Sequence, residues 1–464
     1  MFEQPKDVDR YLKKVISTFE GSTEKEMMQT GEKYYLSENT KIMARRKYMY
    51  ARDDNGTDYL IEDPYKANNK LASGYAKILV DQKVRYSLGK AITITASEES
   101  SEEQKNILDL LGKDFPKTLK KTGKSASKKY IGWAQVYIDQ AGNFRTMHIP
   151  SEQVVPIYKD AEELEYVIRY YPVTVIIDDE AVEVNRAEVW DEKNVTYFQQ
   201  DKDKNYKLYS FPDGSANPRP HLRQVLRYGE KKAAENGLSW DRVPFIPFYN
   251  NDEKVYDLQA VKRHIDVYDV IESDFANNLE DIQDVYWILK GYNGENIDTF
   301  LAEVKKYKTL KVSDEGDAHA ESIDIPHEAR RIMLGILNDD IYKFGRGVDP
   351  NKSGDGNITN VVIKARFANL DLKASEFESQ CTDFIDSIMY FLNRYLEIKK
   401  EQPITDYTIT FNRSQIFNET ELLASNIAQQ GAISEDTRLA NHPWVDDVQA
   451  EKEKMENEKP EITI

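Results

Sequence analysis

The chain has a single cysteine, Cys381, in 464 residues, so a disulfide framework within the chain and a multi-cysteine zinc cage are both excluded. That usage fits a reducing compartment. Histidine is also sparse: His148, His221, His264, His319, His327 and His442 are scattered, without the HxxxH or HxH spacing that seats a metal. No run approaches the ~20 apolar residues that span a bilayer. The N-terminus MFEQPKDVDRYLKKV has no apolar signal core, so a soluble chain not secreted by that route is expected. Basic excess is missing too. Lys+Arg 63 against Asp+Glu 81 gives a net charge of -18, which argues against a protein that grips nucleic acid over its whole surface. Any DNA contact must be local or weak.

Catalytic signatures are equally thin. Thr122-Gly123-Lys124-Ser125 resembles the end of a phosphate loop, but Thr118 occupies the place of the first glycine and no strand precedes it. Asp53, Asn55, Gly56 and Glu62 imitate a calcium loop, yet Ala51 removes the first carboxylate, and a plain turn is expected. No serine, histidine or carboxylate sits in a context such as G-x-S-x-G. No catalytic residue, metal or cofactor is predicted.

What is present is dominated by Val243 to Asp284. Pro244-Phe245-Ile246-Pro247-Phe248 reads as a short extended arm. Asp257 then offers an N-cap, and Leu258, Val261, Ile265, Tyr268, Ile271, Phe275, Leu279 and Ile282 recur at steps of three or four. That predicts one amphipathic helix of roughly 40 Å. Its other face, with Asp266, Asp269, Glu272, Asp274, Glu280 and Asp281, reads as solvated.

The rest of the pattern gives an α+β fold of more than one packing unit. Residues 1–50 read as helical and charged, and 68–86 as a second helix after the turn at Asp53–Gly56. Helices follow near Leu108 and over 115–129, then strands over 131–139, 143–149, 166–175, 181–190, 195–200 and 206–211. Pro212 to Pro220 and the polar run after Arg227 read as loops. Beyond the Val243 stretch come a strand at 285–290, a small helix near 299–306, a strand at 309–312, and a helix from Pro326 with Met333, Leu337, Ile341 and Phe344 on one stripe. After the glycine-rich segment Gly345 to Asn357, read as mobile, the longest helical pattern carries Leu370, Ala374, Phe377, Cys381, Phe384, Ile388, Phe391 and Tyr395. A strand at 407–411 and a helical tail with a break at Gly431 and an N-cap at Ser434 complete it.

The run PFIPFYNN with DLQAVKRHIDVYDVIESDFANNLED resembles bacteriophage portal proteins of the long-tailed siphophage type. The likeness extends through NKLASGYAKILVDQKVRYSLGKAITI, GWAQVYIDQAGNFRTMHIPSEQVVPIYKD and GAISEDTRLANHPWVDD. It implies a head-tail connector: a ring of about a dozen copies at one capsid vertex, through which double-stranded DNA is packaged and ejected. It also implies a portal-like map: wing 1–255, stem helix 256–284, α/β clip 285–325, second stem helix 326–346, channel loop 347–357, long wing helix and strand 358–411, and helical crown 412–464. The implied partners are the terminase large subunit as packaging motor, a head-tail adaptor, major capsid and scaffolding proteins, and the DNA, with no membrane. The implied location is the virion, with host cytoplasm during assembly.

On that map the loop residues Asp349, Asn351, Lys352, Ser353 and Asp355 face the channel, with Lys352 the cation of the tip, and Lys343, Arg346, Arg330 and Arg331 are basic candidates beside it. An acidic conduit suits DNA that must slide, because neutralising many phosphates would hold the duplex. Two other classes stay open from the residues: a helical adaptor or scaffold protein without a channel, and a magnesium-dependent DNA-modifying enzyme using carboxylates of 256–284.

Overall fold

The computed structural model describes residues 5–64, 66–96, 107–160, 163–177, 180–228, 231–281, 286–290, 317–321, 326–352, 359–414, 419–440, 442, 445 and 448–457. The expected helix near 299–306 and strand at 309–312 lie outside these. Two compact units emerge, one from residues 1–35, 76–260 and 342–464, the other from 36–75 and 261–341.

The larger unit is organised by the 40-residue helix Asn360–Lys399, about 60 Å long at ~1.5 Å per residue. Its stripe from Leu370 to Tyr395 is buried throughout, including Cys381, as the spacing predicts. Phe248 stacks on Phe377 and Phe384 with ring centroids 5.1 and 5.0 Å apart. Phe248 belongs to the strand Phe245–Tyr249, which pairs antiparallel with Ile131–Ile138, itself hairpinned to Phe144–Ile149. The proline-spaced run thus forms an edge strand, where Pro247 costs no ladder bond to a further neighbour. Helix Phe115–Lys129 crosses this core at Gly123, where a Cβ would lie 2.9 Å from Phe377 Cζ and 3.1 Å from Phe248 Cε1. Thr122-Gly123-Lys124-Ser125 is therefore mid-helix packing, not a phosphate loop.

A meander of Val154–Tyr158, Leu164–Ile177, Glu180–Trp190, Asn194–Gln200 and Tyr206–Leu208, with Arg219–Pro220 added beside Asn194–Gln200, makes a six-stranded sheet. Ile168, Tyr170, Ala187 and Phe198 on one face bury Val8 and Leu12 of the first helix, Pro5–Glu20. The polar run after Arg227 departs from expectation: Lys231–Leu238 pairs with Leu222–Tyr228 as a hairpin. Its sequence, KKAAENGL, has weak strand preference, and cross-strand pairing overrides it. The C-terminal helices Glu419–Ala428, Glu435–Ala440 and Val448–Asn457 follow the expected breaks, with Gly431 at φ +82° and Ser434 Oγ accepting the Thr437 N–H at 3.3 Å.

The smaller unit differs most from the periodicity. Residues 48–62 form the antiparallel hairpin Tyr48–Arg52 with Asp58–Glu62 around the expected turn, so helix ends at Met43 rather than near 50, and the next helix begins at Tyr75 rather than Asn68. The calcium-like run is this hairpin's turn, where Asp53 Oδ1 accepts the N–H groups of Asn55 and Thr57 at 3.0 and 2.7 Å. Strands Tyr286–Lys290 and Asp317–Glu321 pair antiparallel.

The expected 40 Å helix is shorter. A 3₁₀ turn at Asp257–Ala260 precedes helix Lys262–Asp281, about 30 Å long, and Ile282 lies outside the described residues. Its buried stripe starts apolar at Leu258, Val261 and Ile265 and then continues at four-residue steps through Asp269, Ser273 and Asn277, each 0% exposed. The acidic face is thus partly interior, because a neighbouring strap satisfies it. Backbone N–H groups of Asn69, Leu71 and Ser73 donate to Asn277 Oδ1, Ser273 Oγ and Asp269 Oδ1 at 2.6, 2.9 and 2.9 Å. Four strap residues match eight helical ones, about 12 Å, or about 3 Å per residue, which is extended chain. Every second strap residue therefore meets every fourth helix residue, and Asn39 closes the end by donating to Asp269 and to the Ser73 carbonyl.

Helix His327–Phe344 buries Leu337 and Ile341, while Met333 and Phe344 of the expected stripe are 39% and 46% exposed.

Candidate functional site

The segment joining helix His327–Phe344 to the long helix gathers the residues singled out for function. Its root is built by a helix stop. Arg346 takes a left-handed φ of +52°, and the Gly347 N–H returns to the Tyr342 carbonyl at 2.9 Å. Glycine is required at 347 by space: a Cβ there would lie 2.4 Å from Leu79 Cδ2 and 2.9 Å from Gln82 Oε1.

Gln82, on helix Tyr75–Leu88, then brackets the next residue. Its Nε2 donates to the Val348 carbonyl at 2.7 Å and its Oε1 accepts the Val348 N–H at 3.1 Å, the pattern of one rung of a sheet. Val348 packs against Tyr86, Leu370 and Ala374. From the long helix, Lys373 Nζ donates to the Gly345 carbonyl at 2.9 Å and Glu376 Oε1 accepts from Arg346 Nη1 at 2.8 Å. Residues 345–348 are therefore pinned on two helices, in contrast to the mobile segment the glycines suggested.

Asp349 Oδ1 accepts the Asn351 N–H at 2.9 Å, and Pro350–Lys352 makes an exposed 3₁₀ turn. Lys352 is displayed at its end. Ser353 and Asp355 lie outside the described residues.

Behind the root sits a buried charge node. Asp257 receives Lys83 at 2.9 Å, Asn250 at 3.1 Å and the Ser127 hydroxyl, with Lys373 Nζ 3.5 Å away. Lys83 is 1% exposed and lies over the Phe377 ring, 4.6 Å from its centroid. Burial would raise the Asp257 carboxyl, but Lys373, Lys83 and the neutral donors outweigh it and hold it below the usual carboxylate range. Burial pulls the Lys83 ammonium down to about 8 against the attraction of Asp257. The same lysine, Lys373, touches the node and the loop root, so the node fixes where the loop begins. Asp257, expected as an N-cap, serves this network instead.

The basic candidates separate. Arg346 is committed to Glu376, and Lys343 lies near the Phe344 ring, exposed. In the other unit, Arg330 donates to the Asp274 carbonyl at 3.5 Å and rests over Phe275 at 5.8 Å, whereas Arg331 is exposed with Glu328 at 3.5 Å. The carboxylates of helix Lys262–Asp281 do not converge on a point. Asp266 pairs with Lys262 at 2.8 Å, Asp269 is enclosed by Asn39 and Ser73, and Asp274 pairs with Arg45 at 2.8 Å. Sequence reading missed Gln82, Lys373 and Glu376. Lys373 and Glu376 flank the apolar stripe at Ala374 and Phe377, the only trace they leave in the pattern.

Comparison with known proteins adds the context. The family model described as phage portal protein, SPP1 Gp6-like, matches residues 19–463. The portal protein of Bacillus phage SPP1 is 31% identical over 438 residues, covering 92% of this chain and 82% of that protein. The portal protein of Clostridium phage phiCD119 is 29% identical over 472 residues, covering 96% and 95%. A solved chain from the neck of an empty GTA particle aligns over 79% of this chain and 89% of that one, at 10% identity and a TM-score of 0.41.

Proposed function

This chain belongs to the SPP1 Gp6-like family of phage portal proteins, and on that footing we propose that its copies close into a ring at one capsid vertex and conduct double-stranded DNA. The observation that carries the reading is the family match over nearly the whole chain, with every packing unit included. In this account helices Lys262–Asp281 and His327–Phe344 are the stem and the segment 285–325 between them is the clip. The unit built on the long helix, with its sheets, is the wing, and 412–464 is the crown. The clip docks the terminase large subunit and later a head-tail adaptor, and capsid and scaffolding proteins meet the outer surface.

The site chemistry supports a conduit in which DNA slides. With a net charge of -18 the ring repels phosphate in general, and Lys352, lifted on a turn above a pinned root, supplies a local and weak phosphate contact. A root held by Gln82, Lys373 and Glu376 keeps the tip at a fixed height while the tip itself follows the duplex. The magnesium-enzyme reading has less support, since the stem carboxylates are spent on separate partners.

Electron microscopy of the assembled full-length protein is the direct test: closed rings with a central opening are expected, and a persistent monomer inside capsids and in solution would sink the reading. Replacing 291–316 by a short glycine-serine turn, which keeps strands 286–290 and 317–321, should leave rings that no longer recruit the motor. Normal packaging with that replacement would remove the clip assignment.

A further inference from the structure

The hairpin Tyr48–Arg52 with Asp58–Glu62 is a two-stranded sheet to which, among the described residues, no further strand is added. Such a hairpin is marginal alone in water. One face pairs Tyr48 with Glu62, Tyr50 with Leu60 and Arg52 with Asp58, and Tyr48, Tyr50 and Leu60 on it are 61%, 74% and 58% exposed. Large apolar groups therefore stand in solvent on a sheet with open edges, which invites a further strand.

The charge on this element is sorted by limb. Residues 41–52 carry Lys41, Arg45, Arg46, Lys47 and Arg52 and no acid; residues 53–63 carry Asp53, Asp54, Asp58, Glu62 and Asp63 and no base. Arg45 is used by Asp274 at 2.8 Å. Arg52 meets Asp58 at 2.7 Å and Arg46 meets Glu62 at 3.6 Å, all of them exposed. Exposed pairs of this kind contribute little to stability, so their exchange for equivalent pairs on a neighbour costs little.

We propose that hairpins of adjacent copies pair edge to edge, the acidic strand Asp58–Glu62 of one against the strand Tyr48–Arg52 of the next, whose Arg52 and immediately preceding Arg46 and Lys47 supply the basic charge, forming a closed antiparallel belt. The inference rests on the ring reading above. Its occupant is set by charge: a nucleic acid drawn to the basic limb meets the acidic limb one strand spacing away, about 4.8 Å. A partner of one sign satisfies half the element. Another copy presents both signs in the required order. Cyclic rotation also keeps first strands parallel to one another, so each second strand is antiparallel to the neighbour's first, the pairing already used within the hairpin. On the shared face Leu60 then lies beside the neighbour's Tyr48 and Tyr50, an aromatic–aliphatic cross-strand contact.

The test uses full-length protein with Cys381→Ser. Tyr50→Cys and Leu60→Cys are placed on separate copies, so no bridge within one chain can form, and the two are mixed under oxidation. Mixed-disulfide dimers inside rings are expected, with none from either variant alone. In parallel, Arg46→Glu with Lys47→Glu should raise the protein concentration needed for half-assembly about tenfold or more, and adding Asp58→Lys with Glu62→Lys should restore it. Rings without the mixed disulfide, or cysteines shielded only by added duplex DNA, overturn the belt and leave the ring reading intact. Wild-type protein that never forms rings overturns both.

Discussion

Asp257 shows how one carboxylate can hold distant parts of a chain together. Replacing it by alanine strands Lys83 and Lys373 in the interior, and the expected loss is about 3–5 kcal/mol, read from urea midpoints. Adding Lys83→Met should recover part of that, since the more deeply buried of the two stranded charges is removed. Acid acts through the same group. Burial opposes ionisation of Asp257 and of Glu32, but Lys373 with Lys83 and Lys128 with Lys129 respectively overcome it and lower both carboxyls. Their stabilisation is full above the unfolded-state values and is lost as pH falls through the lower folded ones. Asp269 and Glu272 have the opposite sign, raised by burial, so their contribution is full at low pH and declines as pH rises through the raised values. Acidification from about pH 4 to about pH 2 should therefore loosen residues 76–260 and 342–464 before 36–75 and 261–341, as hydrogen exchange will report.

Among the elements, the strap along helix Lys262–Asp281 and the loop root make separate predictions. Ser273→Ala removes the middle rung, leaving the Leu71 N–H without its acceptor, and should cost about 1–3 kcal/mol with faster exchange at Asn69, Leu71 and Ser73. Gln82→Ala should release Val348 and raise exchange at 347–349, with the fold intact because Gln82 contributes no apolar core. The long helix was legible from Leu370 to Tyr395 because apolar residues that pack on apolar neighbours leave their period in the sequence. Hairpin 131–149 was legible through its turn. The strap was not, since Asp269, Ser273 and Asn277 look like surface until backbone donors from some two hundred residues away are brought to them. Gln82 and Lys373 are hidden for the same reason: a polar anchor is defined by its partner, and the partner is remote.

At the scale of the whole molecule, the roles proposed for the loop tip and for the hairpin are separable by experiment. Lys352→Glu should lower packaged DNA per capsid while rings form normally, and wild-type packaging in that variant would reduce the turn to a surface connection. The belt, by contrast, should change assembly and leave the tip chemistry alone. The strap adds a constraint on how such chains diverge. Two extended residues advance about 6.6 Å while four helical ones advance about 6.0 Å, so the rungs drift by roughly 0.6 Å per step and three are about as many as hydrogen-bond geometry tolerates. A one-residue insertion between Asn69 and Ser73 would turn the donors beyond it to the wrong side, as a frameshift garbles the rest of a message, whereas the turn Asp53–Thr57 has no such phase to keep. Length changes among relatives should accumulate in that turn and stop short of the strap.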